Sequence, residues 1–159
     1  MQFAVSETAN QSVAANANST KGHRNLYLAV AVLAVAGVMV SAVSLQRHYA
    51  KSATAFCDVG EKFNCDIVNR SEYSRLMGIP VAAIGVAGYG VLLALATVYR
   101  SRAETPLRLL AAAVAGLGFA LYLTYVEGFV LDTWCILCLS SLGLIALITV
   151  LAGVVKARA

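Results

Sequence analysis

Four cysteines are the residues whose type and spacing could do chemistry here. Cys57 and Cys65 are separated by seven residues, and Cys135 and Cys138 form a C-x-x-C. On a helix, residues i and i+3 share a face, close enough to bridge if the first turn distorts slightly. A helix N-terminus stabilises a thiolate through its dipole and free N–H groups, and the thiolate is the attacking species in thiol–disulfide exchange. The C-x-x-C therefore suits a redox-active dithiol. The more widely spaced pair suits a loop that carries a disulfide from an external partner to a buried acceptor. Zinc is a poor alternative, because C-x7-C is not a usual ligand spacing. A c-type haem needs a His directly after the C-x-x-C, where Leu139 stands. Two inert disulfides are the serious competing reading. A bridge within one helical turn closes so short a loop that it stabilises little, which favours redox chemistry. His23 and His48 stand alone, and topology or solubility explains them more simply than catalysis.

The elements that must position these thiols are read from composition. The chain has 159 residues, 60% hydrophobic and 13% charged, with a mean hydropathy of +0.76. A soluble domain carries about 45–50% apolar and roughly 25% charged residues, so an ordinary water-soluble enzyme is excluded. Four apolar stretches run from Leu26 to Leu45, Ile79 to Tyr99, about Leu107 to Val126 and about Trp134 to Val155. Each is about 20 residues, which as a helix spans about 30 Å, the thickness of a bilayer core. In lipid the backbone must satisfy its own hydrogen bonds, so these are helices. The expected fold is all-α: a bundle of four transmembrane helices over residues 26–155, with a disordered cytoplasmic tail at 1–25 and a short cytoplasmic tail at 156–159. The first apolar run is longer than a signal-peptide core, and Ala53-Thr54-Ala55 lies too far downstream to be its cleavage site, so it reads as an uncleaved anchor.

Charge orients the bundle. With both termini on one side, that side carries Lys21, Arg24, Arg100, Arg102, Arg108, Lys156 and Arg158 against Glu7 and Glu104, seven minus two or +5. The other side carries Arg47, Lys51, Lys62, Arg70 and Arg75 against Asp58, Glu61, Asp66, Glu72, Glu127 and Asp132, five minus six or −1. The positive-inside rule puts both termini in the cytoplasm. The same bias makes a nucleic-acid partner for the chain's +4 charge a poor reading. All four cysteines then share the outer, oxidising face of the cytoplasmic (inner) membrane, where disulfides persist. The loop 46–78 is the sizeable extramembrane element. Its segment Ser71–Met77 reads as a short amphipathic helix, capped by Asn69 or Ser71 and ended by Gly78, with Pro80 just beyond. Apart from Arg108, at the edge of the third stretch where it can snorkel to the interface, the spans carry no charged residue, which weakens a transporter reading.

The order and spacing of these residues resemble the vitamin K epoxide reductase family, in its prokaryotic form without a fused thioredoxin-like domain. Cys57-x7-Cys65-x5-Ser71 lies in the first outer loop and Gly78-Ile79-Pro80-Val81 opens the second span. Tyr122-Leu123-Thr124-Tyr125-Val126-Glu127 closes the third, and Cys135-Ile136-Leu137-Cys138 begins the fourth. The resemblance covers about residues 26–155. It implies a four-helix bundle around a quinone (menaquinone or ubiquinone) as electron acceptor, and a disulfide-generating oxidoreductase. Electrons would pass from a reduced thioredoxin-like (DsbA-type) extracytoplasmic protein to the loop pair, then to the C-x-x-C, then to the quinone. Cys57 would be attacked by the partner, Cys65 would exchange with Cys135, and Cys138 would face the quinone. The chain ends at Ala159, so the partner is expected as a separate protein.

The resemblance also places Ser71, Val81, Tyr122 and Leu142 as candidate quinone contacts. Val81 and Leu142 depart from the animal enzymes, which have an Asn and a Tyr at those positions to hold vitamin K and its epoxide oxygen. The departures favour quinone reduction over epoxide reduction. Tyr122 and Tyr125 either hydrogen-bond a quinone or sit with Trp134 in the aromatic belt. Gly85, Gly88, Gly90, Gly116 and Gly118 provide either close helix approach or room for a flat ring. The alternative from another class is a non-catalytic membrane subunit or assembly factor with structural disulfides. Its cysteines would not change state with quinone supply.

Overall fold

The computed structural model describes residues 2–49, 60 and 62–159, with backbone alone for 2–10 and 12–19. Cys57 lies outside the described residues. The chain folds as an all-α bundle. Helix α1 spans Gln2–Tyr49, α3 Val81–Thr97, α4 Thr105–Phe129 and α5 Ile136–Arg158. Three of these contain stretches long and apolar enough to cross a membrane: Thr20–Tyr49, Thr105–Phe129 and Ile136–Arg158. The shorter apolar helix α3 has 17 residues. The protein is therefore a multi-pass membrane protein. The helical backbone of α1 begins at Gln2, inside the segment expected as a disordered tail. That segment is rich in Ala and lacks Pro, and extending a helix already formed in the apolar run avoids the cost of a new nucleus.

Helix α1 packs against α3 and α5, and α4 packs against α5 and α3, closing a ring. The core between them is small and chiefly aliphatic, with Val30 and Ala34 of α1, Leu92 of α3, Leu109 and Ala113 of α4, and Ile148 and Ala152 of α5 joined by Tyr27 and Tyr89. Much apolar surface faces outward, including Leu28, Val32, Val114 and Val150, as a helix bathed in lipid requires. Small residues let the helices approach. A Cβ on Gly37 would lie 2.3 Å from the Tyr89 ring, one on Gly85 2.7 Å from Ser41 Oγ, and one on Gly116 3.2 Å from Ile145 Cδ1. Gly88, Gly90 and Gly118 have nothing within 4 Å of such an atom. Of the five glycines singled out in the sequence, two thus serve close approach, while Gly37 is the tightest contact of all. Tyr89 also ties α3 to α5: its hydroxyl donates to the Ser141 carbonyl at 2.8 Å and lies 2.9 Å from Ser141 Oγ.

The outer-loop region differs from expectation. A short helix, α2, covers Cys65–Arg70, and its cap is Asn64, whose side chain accepts from the Asp66 and Ile67 N–H groups. Ser71 both ends this helix and stands at the N-cap of the next, short 3₁₀ helix, without a side-chain capping bond. A 3₁₀ turn at Glu72–Ser74 follows, then a two-stranded hairpin of β1 (Arg75–Leu76) and β2 (Ile79–Pro80). Leu76 pairs with Ile79 across a two-residue turn. Met77 and Gly78 take φ values of 53° and 85°, the left-handed pair that a tight hairpin demands. Gly78 was expected in that conformation as a helix terminator. It has the conformation, but the chain reverses as a hairpin, so Ser71–Met77 does not form the expected amphipathic helix.

Candidate functional site

The thiols are brought together by backbone pairing between two loops. The segment before α2 runs parallel to the segment before α5, bridged at Phe63 and Trp134. Trp134 N–H donates to the Lys62 carbonyl at 2.8 Å, and Asn64 N–H donates to the Trp134 carbonyl at 3.2 Å. The residue after each bridge position then leads into a helix. Cys65 is the first residue of α2, and Cys135 is the extended N-cap residue of α5 (φ −110°, ψ 117°). The Trp134 ring covers Gly128, where a Cβ would lie 3.0 Å from Cη2. This holds the last turn of α4 against the start of α5.

Cys65 and Cys135 are 1% and 0% exposed. The two lie in one buried cluster against which Cys138 packs, so the three thiols form a continuous series from the outer loop into α5. The side-chain hydrogen bond with Cys138, with burial added, raises the Cys135 thiol well above its ordinary range, against a lowering hydrogen bond with Cys65. The helix N-terminus was expected to favour a Cys135 thiolate. At the N-cap, however, Cys135 is sealed from water and shares its proton with a neighbouring sulfur, and these effects prevail.

Glu127 was counted among the outer-loop charges. It lies instead in the last turn of α4 and is 2% exposed. Its Oε2 accepts the Cys135 backbone N–H at 3.1 Å, and its carboxyl interacts with the Cys138 side chain. Its position directly after an apolar run hid it, since a carboxylate there reads as the start of a loop. The sequence signal that could have found it is its spacing from the C-x-x-C, eight residues before Cys135.

Cys138 opens onto a cavity of about 410 Å³ within the bundle, inside the usual range for a small-molecule site. Its walls are chiefly apolar, with Ile84, Gly88, Leu92, Phe119 and Leu123 among them, and α2 and the 3₁₀ turn roof it. Polar groups gather at the roofed end. Ser44 Oγ donates to Asn69 Oδ1 at 2.8 Å, and His48 Nδ1 hydrogen-bonds the Asn69 carbonyl. That leaves Asn69 Nδ2, His48 Nε2 and Glu127 Oε1 buried without hydrogen-bond partners, all from residues that line this cavity. Buried polar groups are rarely left unpaired, so three around one cavity mark a place for a ligand with polar atoms. His48, read from sequence as a topology or solubility residue, is part of this wall. So are Ser71 and Val81, whereas Tyr122 and Leu142 are not among the lining residues. Tyr122 is exposed on the outside of the bundle, as is Tyr125, which stacks on Phe129 at 4.9 Å.

These residues fit a quinone-type acceptor. The apolar walls suit a flat ring, Gly88 leaves room for it, and Asn69 Nδ2 offers a free donor to a ring carbonyl. The vitamin K epoxide reductase family model matches residues 28–153, a span that contains the three clustered thiols, Glu127 and the residues lining the cavity. Because that match covers most of the 159 residues, the chain belongs to the vitamin K epoxide reductase family and is a membrane thiol–disulfide oxidoreductase of the quinone-linked kind.

Proposed function

We propose that the protein generates disulfides in a separate thioredoxin-like protein and passes the electrons to a quinone of the menaquinone or ubiquinone type. The observation that carries this reading is the series Cys65–Cys135–Cys138 ending at the wall of an apolar cavity with unpaired polar atoms. The reduced partner attacks Cys57 of the Cys57–Cys65 disulfide, leaves oxidised, and leaves both loop cysteines as thiols. Cys65 then attacks Cys135 of the C-x-x-C disulfide, which remakes the loop disulfide and leaves Cys135 and Cys138 as thiols, with Cys138 facing the cavity where the C-x-x-C disulfide is closed again. A bound quinone supplies the sink for two electrons and two protons. The chain's own groups orient it: Asn69 Nδ2 offers a donor, Ser71 and Val81 add to the wall, and α2 shields the ring from water. Val81 is apolar and Leu142 lies outside the cavity wall, so the two side chains that hold the epoxide oxygen in the animal enzymes have no counterpart at these positions, and quinone is the favoured substrate over epoxide.

In this reading α3, extended by Ile79–Pro80 and Val98–Tyr99, is the fourth membrane span. Both termini lie in the cytoplasm, and the cysteines lie on the outer face. Cys138→Ala tests the assignment. It is expected to abolish quinone reduction while leaving Cys57 and Cys65 open to an added chemical oxidant. Normal quinone turnover in that variant would show that Cys138 is not the quinone-facing thiol.

A further inference from the structure

A carboxylate in an apolar helix is costly and marks function by default. Glu127 is such a residue, 2% exposed in a helix apolar enough to cross a membrane. One oxygen holds the Cys135 N–H. That task needs an acceptor but no charge, and a neutral amide would do it with less desolvation. The other oxygen, Oε1, has no hydrogen-bond partner, and the residue lines the cavity beside Cys138. The groups beside this carboxyl are Cys138 and the Cys135 backbone at the start of α5; Cys65 of α2 lies near Cys138, and His48, Tyr73 and Tyr89 line the same cavity. Among the described residues no Lys or Arg lines the cavity to hold the carboxylate as an ion pair. The partner that remains for a negative charge is a proton, and the thiol that must lose one is adjacent.

We propose that Glu127 is the catalytic base that takes the Cys138 thiol proton and hands it into the cavity as the Cys135–Cys138 disulfide closes. The proposal rests on Cys138 being the cavity-facing thiol. In the first step the Cys138 S–H bond breaks, its proton goes to the Glu127 carboxylate, and the bonding pair stays on sulfur as a thiolate. No electron leaves the protein in that step. Closing the Cys135–Cys138 bond breaks two S–H bonds in all and releases two electrons and two protons, which a quinone-class acceptor takes up to become the hydroquinone. Glu127 carries one of those protons and returns to the carboxylate. Throughout, the Cys135 N–H bond to Oε2 keeps the carboxyl aligned.

The sign of a substitution separates this role from a bystander's. A fixed anion beside Cys138 disfavours its thiolate, so removing an idle charge speeds thiol reactions. Removing a base slows them. The experiment uses the full chain, fully reduced in bilayer discs without quinone. Cys138 alkylation by N-ethylmaleimide is followed at neutral pH by peptide-resolved mass spectrometry. Glu127→Gln keeps an acceptor for the Cys135 N–H and is expected to alkylate at Cys138 about 100-fold more slowly than wild type, the low end of what a positioned base contributes. Glu127→Asp is expected to recover part of the rate. An unchanged or faster rate in Glu127→Gln overturns the proposal. If Glu127→Gln does not fold, Glu127→Asp decides: its shorter reach is expected to slow Cys138 alkylation relative to wild type, and an unchanged or faster rate in that variant overturns the proposal. Neither readout involves quinone turnover. Failure of the quinone reading would instead appear as wild type that shows this Glu127 dependence but reduces no quinone.

Discussion

Cys65 and Cys135 meet because their neighbours pair, not because of anything in the cysteines themselves. The backbone bridge at Phe63 and Trp134 sets two helix starts side by side. That geometry gives Cys135 two possible sulfur partners, Cys65 and Cys138, which is what a relay needs. Exchange through a relay passes through mixed disulfides that dissolve when a neighbouring thiol attacks. Cys65→Ala is therefore expected to lengthen the life of a covalent adduct between Cys57 and the thiol partner. The adduct should be visible on a non-reducing gel after acid quenching. Cys57→Ser should give none. An adduct formed through Cys65 in the Cys57-lacking variant would reverse the assigned order. At this scale the sequence made the chemistry plain, since C-x-x-C at the start of an apolar run has few other uses. It hid the burial of Glu127 and His48, because burial depends on what packs around a residue.

At the scale of elements, helix positions follow from apolar runs, whereas helix contacts follow from small residues at particular crossings. Gly37 is the sharpest case. A methyl group there would meet three ring carbons of Tyr89 at 2.3–2.6 Å, and Tyr89 is held in place by Ser141 on α5. Gly37→Ala is expected to cost about 1–3 kcal/mol, the usual range for overpacking, and to lower the thermal midpoint measured in detergent. Gly118→Ala, with open space around it, is the control and is expected to leave the midpoint unchanged or slightly raised. The sequence could not separate these glycines, since both sit within apolar helices. The hairpin at Arg75–Pro80 shows the same limit in the other direction. Local signals for a helix from Ser71 and for its end at Gly78 were outweighed by the pairing of Leu76 with Ile79.

For the whole molecule, arrangement across the membrane decides whether the thiols meet an oxidising compartment. A reporter active only in the cytoplasm, fused after Ala159, is expected to be active. Activity from an extracytoplasmic reporter at that position would overturn the orientation and the proposed partner together. What the sequence by itself determined was the class of protein and the chemistry. Length and hydropathy require lipid-spanning helices, because a chain with so few polar residues cannot cover itself in water. Cysteine spacing favours thiol exchange, because no metal or haem reading fits it and a bridge within one helical turn staples nothing distant. Only the tertiary structure decided which residues surround that chemistry. Asn69, His48 and Glu127 come from three different helices and converge on one cavity. Tyr122, close to Glu127 along α4, turns outward instead. The reason is geometric: a helix gives each residue a direction, but whether that direction meets lipid, a neighbouring helix or a cavity is set by how the helices pack.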